Sequence, residues 1–507
     1  MRKKEVINNI VANLALQLVI IINGFIIPKI IIESFGSTIN GLVTSITQFL
    51  AYITLLESGF GPVVKSLLYK PIASKNKKEI EQILKSSESF FKRISIIFIL
   101  YILLLCIIFP HITNEAYDVI YTGSLIIIIG ISTFAEYFFG ITYKLFLQAK
   151  QKTYISSIIQ VFTYISSIIA VIILAKIGAG IHVIKLISGL IFVLRPIAQN
   201  IYVKKKYNIK IGKKKEEYPI RQKWDGLAQH IAYVIHTNTD ITVLTIFSSL
   251  PEVSVYSVYL LIIKGVKAII AAISNGTEAT FGDMIAKKEV ETLQIRFNQY
   301  ESLYYTICTM LFGCSIVLIT PLVSIYTHGI TDVNYVRPIF GALLVISEFI
   351  WAIRQPYNDL IKVAGHFKQT RIGAWVECIT NIIISIILVQ RLGIIGVAIG
   401  TIVAMTIRAT EFIYHTNKYI LKRSIWESIK KILLVVVETI IIVLICNLLP
   451  YRENTDYLNW GINALMTFLV AAVVVLGTNA IFFRKELSEI KTLFKSLLHR
   501  KPPKPDK

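Results

Sequence analysis

Apolar stretches of bilayer length recur about 14 times along the chain, and no other feature limits its fold as strongly. A helix that crosses a membrane needs roughly 20 mostly apolar residues. Such stretches fall near 8–33, 39–67, 92–112, 117–146, 154–175, 180–202, 225–247, 253–284, 300–326, 338–363, 371–390, 393–418, 430–449 and 457–483. In lipid, every backbone N–H and C=O must be satisfied internally, and a helix does this within one segment. The predicted fold class is therefore all-α, a polytopic membrane protein of about 14 transmembrane helices. Several stretches exceed 25 residues and must tilt, kink or reach past the bilayer.

Composition agrees. Of 507 residues, 54% are apolar and 17% charged, and the mean hydropathy is +0.64. A soluble domain carries roughly 25% charge and 45–50% apolar residues. A cytosolic enzyme, a secreted disulfide scaffold and a disordered tail protein are excluded. The five cysteines, Cys106, Cys308, Cys314, Cys378 and Cys446, all sit in apolar runs. They read as small buried hydrophobes, with no metal-site spacing. The start, Met-Arg-Lys-Lys, resembles a signal peptide. However, Asn8, Asn9, Asn13 and Gln17 interrupt the run and no small-residue cleavage site follows, so a retained first span is expected. Heavy use of isoleucine and lysine fits an AT-rich bacterial genome.

The net charge of +22 would suit a nucleic-acid partner in a soluble chain. Here it is concentrated between the spans. Basic loops hold Arg2–Lys4, Lys70–Arg93, Lys150 and Lys152, Lys204–Lys215, Lys287 and Lys288, Lys368 and Arg371, Lys422–Lys431, and the tail from Arg484. The alternate turns, 34–38, 113–116, 248–252 and 327–336, are nearly free of Lys and Arg. This alternation predicts cytoplasmic termini and an even number of spans. It also removes the reason to expect nucleic acid. Residues 72–90 are expected to form an interfacial amphipathic helix.

The halves of the chain repeat at an offset of 215. Ala149 falls on Ala364, Lys176 on Arg391 and Gly178 on Gly393. Tyr143 and Tyr357 match with one slipped residue. The predicted organisation is an N-terminal six-helix lobe over 1–203, a basic linker over 204–223, a second six-helix lobe over 224–420, two additional helices over 421–485 and a basic tail over 486–507. Repeated helical halves are a transporter architecture, with the site at the repeat interface. The outward loops are too short to house the catalytic apparatus of a membrane glycosyltransferase or polymerase, so no enzyme is expected.

Several short motifs sit within this frame. Asn9 opens span 1, which leads through Phe35-Gly36 to Ile39-Asn40-Gly41. Span 2 ends in Leu56-Glu57-Ser58-Gly59-Phe60-Gly61-Pro62, followed by Lys65. The second half has Thr239-Asp240-Ile241, then Val253-Ser254-Val255-Tyr256-Ser257. A Tyr357…Ala364…Gly393-x-x-Gly396 stretch follows. In this order they resemble a polysaccharide flippase of the Wzx type, in the multidrug/oligosaccharidyl-lipid/polysaccharide exporter superfamily, over about 1–485. The resemblance implies two six-helix lobes in a V shape. It also implies translocation of undecaprenyl-diphosphate-linked oligosaccharide across the bacterial plasma membrane, for surface polysaccharide such as O-antigen or capsule. A polysaccharide polymerase, glycosyltransferases and membrane lipids would be the partners. A lipid II flippase and a cation-coupled multidrug exporter share the architecture and stay open as alternatives.

Charges inside the bilayer cost roughly 2.5–3.5 kcal/mol each on insertion scales and are functional candidates by default. Lys264 and Lys267 lie mid-span, three residues apart and so on one face. They could present two ammonium groups to one diphosphate, or pair locally with a carboxylate. Lys29, Lys65 and Arg354 are further candidates for substrate binding, although Lys29 and Lys65 could equally snorkel to the interface. Glu57, Glu136, Glu348 and Asp359 are candidates for coupling to H⁺ or Na⁺, the only cofactor expected, or for structural ion pairs. Glu57 is placed on the face of Lys65, eight residues before it. Glu377 and Glu438 read as structural, as do His230 and His236. The polar side of span 1, with Asn9 and Asn13, suits either a wet cavity or interhelical hydrogen bonds.

Overall fold

The computed structural model describes residues 3–57, 60–113, 117–209, 227–274, 278–451 and 456–482. His230, the linker beyond 209 and the tail at 486–507 lie outside the residues whose side chains are described. No strand occurs among the described residues. The helices, in chain order, are α1 (Lys3–Ala51), α2 (Thr54–Glu57), α3 (Phe60–Ala73), α4 (Lys77–Ile112) and α5 (Val119–Ala135). A π-helical turn (Glu136–Gly140) leads to α6 (Ile141–Ala149), α7 (Thr153–Lys176), α8 (Ile181–Tyr207), α9 (Leu227–Phe247), α10 (Leu250–Ser274) and α11 (Glu278–Ala286). Then come α12 (Val290–Tyr326), α13 (Pro338–Val363), α14 (Arg371–Leu392) and α15 (Ile394–His415). A second π turn (Thr416–Leu421) precedes α16 (Trp426–Asn447) and α17 (Tyr457–Phe482).

Eleven of these segments are long and apolar enough to cross a membrane, against the 14 expected. The difference has three sources. The first two expected spans run together as Glu5–Glu57. The apolar part of α9 is shorter, Ile231–Phe247. In α16, Lys430, Lys431 and Glu438 are spread along 22 residues, so no bilayer-length window is free of charge.

The first merger is only apparent. A 49-residue helix would rise about 73 Å, more than twice the apolar core of a bilayer. Gly36 breaks it, with φ 82° and ψ 169°, a conformation that glycine adopts without steric cost. Asp332 caps the restarted helix. It accepts from the Ser37 N–H at 2.6 Å and from the Ser37 hydroxyl at 2.8 Å. The expected outer turn at 34–38 is thus made by one residue. The continuous span expected over 39–67 is interrupted again at Tyr52 and Ile53. Glu57 and Lys65 both follow this break, and residues 58–59 between α2 and α3 lie outside the described residues. Residues 77–90, expected as part of an interfacial helix, are instead the first turns of the 36-residue α4. Nothing between Lys77 and Ile102 breaks the helix, and Asn76 starts it by accepting from the Glu79 N–H.

The chain forms two compact units. One is Met1–Val258 with Ile330–Val333 and Val389–Gly393. The other is Tyr259–Gly329 with Asn334–Leu388 and Ile394–Lys507. Backbone conformation repeats between the halves. Left-handed residues pair as Lys75 with Lys288, Gln151 with Gly365, Gly178 with Gly393 and Asn208 with Lys422. These four separations lie within two residues of the offset of 215 read from sequence.

In the first unit, the later part of α1 packs on α9 and the start of α10 through uncharged polar contacts. Asn40 donates to Ser254 at 2.8 Å, Ser45 and Thr245 share a hydrogen bond of 2.7 Å, and Tyr52 meets Thr242 at 2.9 Å. Gln48 donates to Asn238. The helices approach closely because Gly41 has no side chain. A Cβ there would lie 1.8 Å from the Leu250 carbonyl oxygen, which is backbone and cannot step aside. Gly41→Ala is expected to lower the unfolding temperature of the purified protein, whereas Gly461→Ala, with nothing within 4 Å, is not. Overpacking of this kind costs about 1–3 kcal/mol. Equal unfolding temperatures for the two variants would refute the close approach.

At the other end of α1, Asn9 accepts from the Tyr154 N–H at 2.9 Å and donates to the Gln151 carbonyl at 2.8 Å. Asn13 accepts from Ser157 at 2.6 Å. These asparagines serve interhelical hydrogen bonding, one of the two readings that sequence left open.

In the second unit, α16 and α17 pack on α12 through Cys314, Leu318, Ile442, Cys446, Ala471 and Val475. A buried ionic cluster reinforces the same contact. Glu301 on α12 is fully buried. It accepts from Lys431 at 2.8 Å, from Arg423 at 3.1 Å and from the Tyr357 hydroxyl. Arg423 also donates to Asn417 at 2.6 Å and to Ser428 at 2.9 Å.

Candidate functional site

In the second unit, Lys264 and Lys267 are residues 15 and 18 of the 22-residue span Leu250–Ala271. Helical spacing puts both on one face, but their surroundings differ. Lys267 lies 2.6 Å from the Glu348 carboxylate and 4.2 Å from the centre of the Trp351 ring. It is both ion-paired and seated on a π face. Lys264 is exposed and makes no hydrogen bond or direct salt bridge among the described residues, and the Glu348 carboxylate attracts it at longer range. Direct ion pairing thus accounts for one of the two ammonium groups and not for the other.

The other cationic candidates separate from this pair. Arg354 is buried and donates to Glu377, which also lies 3.5 Å from Arg408. Arg408 in turn pairs with Glu411 at 2.5 Å. Glu377, expected to be structural, is the centre of this group. Lys29 lies 3.5 Å from Glu33, one turn on, and is half-exposed. Lys65 is half-buried on α3.

Two of the four acidic candidates belong to the second unit. Glu348 is the partner of Lys267. Asp359 is fully buried, accepts from the Tyr300 hydroxyl at 3.0 Å and lies 3.5 Å from Lys362. The other two, Glu57 and Glu136, come together in the first unit, where sequence reading had placed them on different spans with no link. Both line a cavity of about 330 Å³. Glu57 accepts from the Tyr137 hydroxyl at 2.8 Å, and Glu136 lies 3.5 Å from Lys144.

The backbone explains the arrangement. Glu136 opens a π-helical turn, Glu136–Gly140, which widens the helix by one residue per turn and re-aims side chains, a frequent device at functional sites. Gly140 lets the kinked part of α8 approach, since a Cβ there would lie 2.5 Å from the Pro196 Cβ. That approach brings Arg195 and Gln199 of α8 to the same cavity. Sequence reading missed Lys144, Arg195 and Gln199. One signal was present: Arg195 and Arg408 recur 213 residues apart, matching the repeat.

No protein-family model matches the chain, and no curated protein matches it. Solved structures do share its fold. The lipid II flippase MurJ, in an inward closed conformation, superposes with a TM-score of 0.68 at 16% identity, over 94% of this chain and 100% of that one. A multidrug resistance MATE family transporter of the MOP superfamily, inward-facing, gives 0.59 at 13% identity, over 80% and 94%. A MOP superfamily transporter from Pyrococcus furiosus gives 0.52 at 13%, over 83% and 97%. At such identities the likeness is one of fold. The chain is a multi-pass, all-helical membrane protein with the fold of MOP-superfamily transporters and flippases.

Proposed function

We propose that the chain is a flippase that moves an undecaprenyl-diphosphate-linked oligosaccharide across the bacterial plasma membrane by alternating access. The observation that supports this best is Lys264, an exposed mid-span ammonium group that makes no direct salt bridge among the described residues and shares the Glu348 carboxylate at longer range with the ion-paired Lys267, one turn on. Holding an unneutralised cation inside a membrane is costly, and an anionic substrate offsets that cost when it binds. Lysine suits a mobile diphosphate because it acts as a point charge rather than a fixed fork. A cation-exporting transporter gains nothing from it.

A second reading, a flippase for lipid II, is favoured by one fact. The MurJ match spans 94% of this chain, more than the matches to the MATE transporter and the Pyrococcus furiosus transporter do, and lipid II carries the same kind of diphosphate. Reconstitution distinguishes the two. Proteoliposomes containing the full chain are expected to translocate a fluorescent undecaprenyl-diphosphate-linked oligosaccharide, with little movement of lipid II and no uptake of a cationic dye. Movement of lipid II alone, or of the dye alone, would overturn the first reading.

A further inference from the structure

The cavity in the first unit is lined by two carboxylates, Glu57 and Glu136, and two cations, Lys144 and Arg195. Its charged lining is therefore balanced. Glu136 is residue 18 of the 31-residue span Val119–Ala149, and Arg195 is residue 15 of the 27-residue span Ile181–Tyr207. Both sit at mid-depth, where ionisable groups are rare and functional by default. Two polar atoms in the lining are left over. Among the described residues, the Gln199 Oε1, on a side chain 1% exposed, and the Arg195 Nη2 have no partner in hydrogen-bond geometry, although the Tyr164 hydroxyl and the Glu136 carboxylate both act on the Arg195 guanidinium. The rest of the Arg195 guanidinium is held, with Nε donating to Thr163 at 2.6 Å and the group stacked 4.1 Å from the Tyr164 ring. A buried polar atom without a partner is costly, so a preformed cavity that keeps one acceptor and one donor open has room for an occupant that supplies both.

The second half offers a comparison within the same chain. Arg408, 213 residues after Arg195, is closed off by Glu377 and Glu411. The repeat thus supplies an arginine in both halves, and only the first-half copy faces a cavity with an open valence.

The balance of charge selects the occupant's chemistry. A diphosphate would meet Glu57 and Glu136. A bare metal cation would meet Lys144 and Arg195. A neutral polyol suits all four, because each hydroxyl donates and accepts. It can donate to the carboxylates and to Gln199 Oε1, and accept from Lys144 and from Arg195 Nη2. The volume of about 330 Å³ lies at the small end of the range for small-molecule pockets.

From this we infer that the first-unit cavity is a binding subsite for an uncharged sugar, with Gln199 and Arg195 as its specific contacts. The inference rests on the flippase reading for its physiological ligand, the sugar end of the lipid-linked substrate. Glu57 and Glu136 then serve as hydroxyl acceptors rather than as the coupling carboxylates expected from sequence.

The test uses the purified full chain and a panel of free neutral disaccharides: maltose, cellobiose, lactose and N,N′-diacetylchitobiose. Binding is read by saturation-transfer NMR, and stabilisation by the unfolding temperature. At least one disaccharide is expected to bind saturably, and Gln199→Leu should weaken it by about tenfold, the worth of a hydrogen bond to an otherwise unpaired group. Should Gln199→Leu not fold, judged by its unfolding temperature without sugar, Gln199→Met, which keeps the length of the side chain and removes the amide, takes its place. Absence of saturable binding across the panel overturns the inference, as does binding that neither variant alters. Stabilisation by Na⁺ alone that disappears in Glu136→Gln also overturns it and makes the cavity an ion site. Sugar binding without lipid translocation would refute the flippase reading and leave the subsite standing. Translocation without sugar binding would do the reverse.

Discussion

Changing both lysines of α10, Lys264→Gln with Lys267→Gln, is expected to cut translocation of the diphosphate-linked lipid by at least about a hundredfold in proteoliposomes. Each charged contact to a phosphate is worth roughly 1.5–3 kcal/mol, and the two together exceed the 2.7 kcal/mol of a hundredfold change. The single changes should differ in kind. Lys264 makes no direct salt bridge among the described residues, so Lys264→Gln should slow translocation with little change in the unfolding temperature. Lys267 neutralises Glu348 at 2.6 Å, so Lys267→Gln strands a buried carboxylate and should lower both. Adding Glu348→Gln to Lys267→Gln should restore the unfolding temperature without restoring transport. Normal translocation by the double lysine variant would remove the pair from the substrate path.

Glu301→Ala is expected to cause the largest loss of stability of any single change. Glu301 is fully buried between Arg423 and Lys431, themselves nearly inaccessible. Removing one member of such a pair leaves uncompensated charge in the interior, which costs about 3–5 kcal/mol. Here Lys431 would lose its salt bridge and Arg423 would keep only the half-exposed Glu427 at 3.6 Å, and the contact that joins α16 to α12 would weaken with them. The measurement is the unfolding temperature in detergent, together with the yield of folded protein in the membrane. The companion change Lys431→Met should recover part of the loss, because one buried charge that Glu301 balances is then gone. A Glu301→Ala protein as stable as the parent would show that water or lipid headgroups reach the cluster.

Particular residues show where sequence reading reached and where it stopped. Gly36 was legible as a turn because the residues about it lack charge and interrupt an apolar run. That the turn would be a single left-handed residue capped by Asp332, 295 residues away, was not. Lys264 and Lys267 were legible as mid-span charges, but their division into one paired and one open ammonium group was not. Arg423 and Lys431 were counted among the basic residues of a cytoplasmic loop. The positive-inside pattern counts charges near span ends and takes no account of contacts, so it could not reveal that both cations close on Glu301. The polar cavity escaped for the same reason. Glu136, Lys144 and Arg195 are spread over three helical segments, and only the π turn and the glycine contact at Pro196 bring them together.

The division between the two kinds of knowledge has a physical cause. A bilayer tests each segment of about 20 residues by itself, so the spans, the helical class, the alternation of loop charge and the charges stranded in mid-membrane are all local properties, determined by the sequence alone. Whether such a charge is neutralised depends on groups brought up from far along the chain, as Glu301 is to Arg423 across 122 residues and to Lys431 across 130. Only the packed tertiary structure decides which ionisable groups close on one another directly, as Glu301 does on Arg423 and Lys431, and which, like Lys264, stay outside such pairs.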